Sequence, residues 1–268
     1  MALPVGDLNP VRRTPWLVWL LAVTNVAVFA WQWTLPVCEQ AAFVLRHGVV
    51  PRELTTGSGL SADEVAAVLG DCAPAAQEPL IFASVFTAMF VHGSLGHLLG
   101  NLIYLLVFGN NVEDRLGHGR FVVFYLAGGV AATAAFTVLQ PDSGVPLVGA
   151  SGAIAAILGA YLICFPRARV LALVPFPLYL FAVLIPGIRL ARWLLIAAIL
   201  IVPAWLLLLG WFVLQAMATG QAPGDGVAYD AHVAGFVAGI VLVLLLDARR
   251  TRTGREPFHP PRRRPRGP

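Results

Sequence analysis

The chain has 268 residues, 58% of them hydrophobic and only 12% charged, with a mean hydropathy of +0.78, a balance that excludes an ordinary soluble domain. Its formal net charge is +4, but the basic residues, all of them Arg, are dispersed in short groups between apolar runs. A nucleic-acid partner would need them gathered on one soluble face, so that class is excluded too.

Runs of about 20 apolar residues cross a bilayer as helices, and the sequence predicts spans at 16–35, 94–112, 121–139, 147–164, 194–216 and 231–247. The fold class expected is an all-α membrane protein, a six-helix bundle. The first run follows Arg12 and Arg13. It is longer than a signal-peptide core and lacks a clear small-residue cleavage site, so it is read as a retained helix. With six spans and a cytoplasmic N-terminus, Arg residues divide 16 inside to 2 outside, only Arg46 and Arg52 being external. That asymmetry fixes the expected orientation, with both termini cytoplasmic. The organisation expected is a cytoplasmic segment 1–15, a membrane domain 16–247 with a long external loop 36–90, and an Arg/Pro-rich disordered tail 248–268.

In the long loop, Ser61 and Glu64 form a capping-box pattern that opens a helix. Cys38 and Cys72 share this loop, where a disulfide is chemically allowed; Cys164 reads as a small buried hydrophobe. Residues 170–186 are apolar, but Pro175, Pro177 and Pro186 interrupt them and Arg flanks them. A seventh span there would move the Arg-rich tail outside, so the segment is read as interfacial or re-entrant.

Polar groups at membrane depth are costly unless paired, and they mark function by default. His97 and Asn101 are four residues apart on one face of the second span, with His92 near its external mouth. Alone, they read equally well as hydrogen-bonding glue between helices. The fourth span opens VGASGAIAAILGAY, where Ser151, Ala155 and Gly159 make one face almost free of bulk, and Gly149 and Gly152 flank the serine. An isolated Ser there is more simply a packing residue. The sixth span opens AHVAGFVAGI, with His232 on the face of a GxxxG pair, Gly235 and Gly239. If those faces meet, His232 is delivered toward Ser151. An imidazole in reach of a serine hydroxyl makes a nucleophile. The Ser151 N–H, the His97 ring and the Asn101 amide are then candidate donors to the oxyanion.

The four segments together resemble the rhomboid family of intramembrane serine proteases, over about 85–268. The family's serine motif GxSG is matched by GASG, and its AHxxGxxxG by Ala231 to Gly239. HxxxxHxxxN is matched by His92, His97 and Asn101. The Glu, Arg and Gly that follow the second helix are matched by Glu113, Arg115 and Gly117. The resemblance implies a Ser151–His232 dyad, His97 and Asn101 as oxyanion contributors and a structural His92. It implies no cofactor and no metal, and membrane-protein substrates with one or several spans; a substrate helix would have to unwind locally to expose its carbonyls, so small or helix-destabilising residues are expected near the cut. His92 and Ser94 are expected to help water reach the site. A catalytically inactive relative that binds membrane-protein clients is the alternative, and such a protein typically lacks the Ser or the His. Two departures stand out: Ala155 occupies the position of an aromatic that often packs on the histidine, and the Trp-Arg pair frequent in the first loop is not evident before Phe90. Asp230 reads as a loop acid rather than a triad member. A metalloprotease would need a motif such as HExxH, and a transporter would be expected to show repeated halves. The all-Arg, Ala-rich composition suggests a GC-rich bacterial genome, and the expected location is then the inner membrane.

Overall fold

The structure, a computed structural model, describes residues 3–174, 198–219 and 227–252. The main helices are α1 (Trp16–Trp33), α6 (Leu95–Leu116), α7 (His118–Leu139), α8 (Ser151–Cys164), α9 (Ala204–Ala218) and α10 (Tyr229–Arg252). Between α1 and α6 the chain makes α2 (Val37–His47), α3 (Pro51–Thr56), α4 (Ala62–Leu69) and α5 (Ser84–Thr87). By length and composition α1, α6, α7 and the Tyr229–Asp247 part of α10 are able to cross a membrane, while α8 and α9 are shorter apolar helices.

The short α8 is the axis of the bundle. Residues 153 to 161 are all buried, the signature of a helix that is apolar all round, and α6, α7, α9 and α10 pack against it. The closest seam is with α10, where Gly235 lies over the Gly152 carbonyl and Gly239 over the backbone of Ala156. A glycine face against an alanine face lets two backbones touch, so dispersion rather than the hydrophobic effect holds them in a bilayer.

The long loop between α1 and α6 is an ordered layer. Ser61 caps α4 by accepting from Glu64 N–H at 3.4 Å, and Glu64 accepts from Ser61 N–H at 2.8 Å, so the expected capping box forms. Cys38 and Cys72 are disulfide-bonded. Val49 and Leu147 exchange backbone hydrogen bonds of 2.9 and 2.7 Å, which tie this layer to the segment leading into α8.

The other end of the bundle differs from expectation. Strands β1 (Leu3–Asp7), β2 (Arg169–Val174) and β3 (Ala198–Pro203) form an antiparallel sheet in the order β1-β2-β3. Leu3 pairs with Leu173 and Val174 with Ala198. The expected span at 194–216 is therefore corrected: residues 198–203 are strand, and the helix begins only at Ala204, after Pro203, which cannot sit inside a helix. Residues 170–174 of the expected interfacial segment are likewise strand, and its remainder lies outside the described residues, as does the tail after Arg252. Asp7 at the end of β1 anchors the sheet to the bundle, accepting from Asn111 Nδ2 at 2.6 Å and from the Tyr161 hydroxyl at 2.5 Å.

Candidate active site

Residues 147–150 do not extend α8 outward as expected. They are turn and extended chain, and Gly149 has φ +113°, a backbone conformation that L side chains rarely adopt. Gly149 must also lack a side chain for a second reason. A Cβ there would sit 2.5 Å from His97 Nε2 and 3.7 Å from Asn101 Nδ2. The two polar groups of α6 thus converge on the residue two before Ser151. Ser94 caps α6 by accepting from His97 N–H at 3.1 Å, and Asn101 Nδ2 donates one hydrogen to the His97 carbonyl at 2.9 Å. That bond orients the amide and, among the described residues, is the one hydrogen bond that Asn101 Nδ2 donates.

Ser151 is the first residue of α8, so its N–H belongs to the turn that has no intrahelical acceptor and lies at the positive end of the helix dipole. Ser151 and Gly149 line a small cavity of about 20 Å³ together with Gly152, Thr133 and Ala231, room for a single water. Ala231 brings the start of α10 to this cavity, and His232 follows it. His232 is close enough to His97 for the two rings to interact electrostatically.

Two residues that contact His232 are not apparent from sequence patterns. Trp211 of α9 packs its ring 5.9 Å from the imidazole, and Gln215, one turn on, approaches His232 Nδ1 with its side-chain oxygen at 2.8 Å. The only prior signal is their i, i+4 spacing on one face of an apolar helix. Trp211 supplies the aromatic support that Ala155 does not: Ala155 is fully buried, with Gly235 pressed against it. Asp230 is corrected from a loop acid to the first turn of α10, where it accepts from Gln140 Nε2 at 2.9 Å.

His92 is not exposed at the mouth of α6 as expected. It is wholly buried, its carbonyl accepts from Gln32 Nε2 at 3.1 Å, and its ring stands edge-on to that of His97 at 5.2 Å. Glu113 and Arg115 lie at the far end of α6. The buried Glu113 carboxylate accepts from the backbone N–H groups of Leu17 and Val18 at 3.2 and 2.8 Å and pairs with His118, so it caps α1, whose own N-cap residue, Pro15, has no side-chain acceptor to offer. Arg115 pairs with Asp247 of α10 at 2.6 Å.

The rhomboid domain model matches residues 81–249, a stretch that includes all four motifs. The chain belongs to the rhomboid family. It is 40% identical over 78 residues to the rhomboid protease GluP of Bacillus subtilis (strain 168), covering 29% of this chain and 15% of that one. It is 27% identical over 157 residues to the RHOMBOID-like protein 1 of Arabidopsis thaliana, covering 55% and 39%. The mitochondrial presenilin-associated rhomboid-like protein of Bos taurus is 32% identical over 104 residues, covering 38% and 27%. The match spans well under half the length of each relative. This rhomboid is a membrane helical bundle, and its family contains both intramembrane proteases and inactive relatives.

Proposed function

We propose that this rhomboid is an active intramembrane serine endopeptidase that cuts membrane-protein substrates in or beside their membrane-spanning segments. Ser151 Oγ attacks the scissile carbonyl carbon while His232 takes its proton; the same imidazole then protonates the leaving amine, and water repeats the sequence on the acyl-enzyme. The Ser151 N–H, the His97 ring and the Asn101 amide stabilise the oxyanion.

The observation that carries this reading is the convergence of His97 and Asn101 on Gly149, beside a serine that begins a helix and lines a water-sized cavity. Two polar donors gathered beside a glycine next to the serine have little value for packing, and much for charge that develops during a reaction. We read the termini as cytoplasmic and the loop 36–90 as external, in a bacterial inner membrane. The Arg distribution supports the orientation, as does a disulfide in that loop, since disulfides persist on the oxidising side. The domain limits 16–247 follow from the same reading.

The test is labelling of the purified protein in detergent with a fluorophosphonate probe. Labelling of wild type, lost in both Ser151→Ala and His232→Ala, is the expected result. A folded wild type that stays unlabelled would overturn it in favour of an inactive, client-binding relative.

A further inference from the structure

The helix AWLLLLGWFVLQAMA of α9 is apolar apart from one amide, Gln215, which is 4% exposed. A buried amide in such a helix is costly without a partner. Its oxygen faces His232 Nδ1 at 2.8 Å, and Trp211 on the same face of α9 lies against the same ring. A neutral imidazole carries one N–H, and the hydrogen bond made by one nitrogen decides which nitrogen is free. An amide oxygen only accepts, so Nδ1 must hold the proton.

We propose that Gln215 is a positioning residue for His232: by accepting the Nδ1 proton it fixes the tautomer and ring orientation in which Nε2 is the base for Ser151. The proposal rests on the Ser151–His232 reading. It assigns to a neutral amide, delivered by a different helix, the orienting part that a buried carboxylate plays in a catalytic triad. Asp230, the acid nearest in sequence, is engaged by Gln140 instead. Among the described residues His97, from α6, is the titratable side chain that acts electrostatically on His232 from a neighbouring helix. Among the described residues Trp211 and Gln215 bring α9 to the ring without a charge.

The alternative is that Gln215 merely glues α9 to α10. The two are separated by the rate constant and apparent affinity of fluorophosphonate labelling between pH 5 and 9, for wild type, Gln215→Leu, Gln215→Glu and Ser151→Ala. In Gln215→Leu the limiting rate should fall roughly tenfold, the order expected for one lost hydrogen bond, with apparent affinity unchanged. In Gln215→Glu a carboxylate beside the ring favours the imidazolium, so the acid limb of the rate profile should move to higher pH. An unchanged rate and profile in both variants, with labelling lost in Ser151→Ala, would overturn the positioning alone. Labelling that survives Ser151→Ala would overturn the serine reading and the positioning with it. Nitrogen NMR of 15N-histidine protein in the Ser151→Ala background needs no change at 215. It should find His232 protonated at Nδ1, and a ring protonated at Nε2 would overturn the proposal.

Discussion

The seam between α8 and α10 makes a quantitative demand on Gly239. A methyl group built there comes within 2.5 Å of the Cα and carbonyl carbon of Ala156, and closer still to its oxygen. Comfortable heavy-atom contact needs about 3.5–4.0 Å. No rotamer relieves a clash with backbone, so in Gly239→Ala the helices must part locally by roughly 1 Å. Overpacking of this kind costs about 1–3 kcal/mol, offset by less than about 1 kcal/mol of gained helix propensity. The thermal midpoint in detergent should therefore fall by a few degrees, on the order of 2–4 °C per kcal/mol. The larger effect is on chemistry. His232 rides on the displaced helix, and a misplacement of 1 Å costs on the order of 100-fold in rate. Gly210→Ala is the control: a Cβ there meets nothing within 4 Å, and both midpoint and fluorophosphonate labelling rate should hold or improve slightly. A Gly239→Ala protein that labels at the wild-type rate with an unchanged midpoint would refute the argument, as would equal damage from Gly210→Ala.

Glu113 is expected to be structural. Glu113→Ala strands the buried N–H groups of Leu17 and Val18 and should cost roughly 2–4 kcal/mol in a mixed-micelle unfolding titration, Glu113→Gln less because an oxygen remains. In α2, outside the membrane-spanning helices, burial lowers the His47 imidazole below its ordinary 6.5 despite the bond from its Nδ1 to the Phe43 carbonyl. Because the folded state disfavours the charged ring, that stability is present above about pH 6.5 and is lost as pH falls toward the depressed value. The midpoint of wild type should drop relative to that of His47→Gln between pH 7 and 5; a gap that does not change with pH would contradict this.

Much of the bundle was legible from apolar runs and small-residue rows. The Ser151 face of α8 and the Gly235–Gly239 face of α10 meet because both lack bulk, and that lack is written in residue size. Gly149 was legible as a flanking glycine but not as the point on which His97 and Asn101 converge, since that depends on how α6 packs. The sheet was hidden for a different reason. Short apolar runs such as RVLALV and AILIVP fit strand and buried helix alike, and only Pro203 marked the change within the expected span. Trp211 and Gln215 were opaque because an aromatic and an amide on an apolar helix acquire meaning only once their neighbour is known.

The sheet also has a consequence in time. Leu3 finds its partner in Leu173, 170 residues further along the chain, so at 5–20 residues per second β1 is synthesised on the order of 10–30 s before the strand it pairs with. For most of that interval Asp7 lacks Tyr161, and the first turn of α1 lacks Glu113 until α6 has been made. β3, the last strand to emerge, leads straight into α9, the helix that reaches His232. Closure of the sheet therefore comes before Trp211, Gln215 and His232 itself are made, and a translation product arrested at that point would carry the serine without its imidazole.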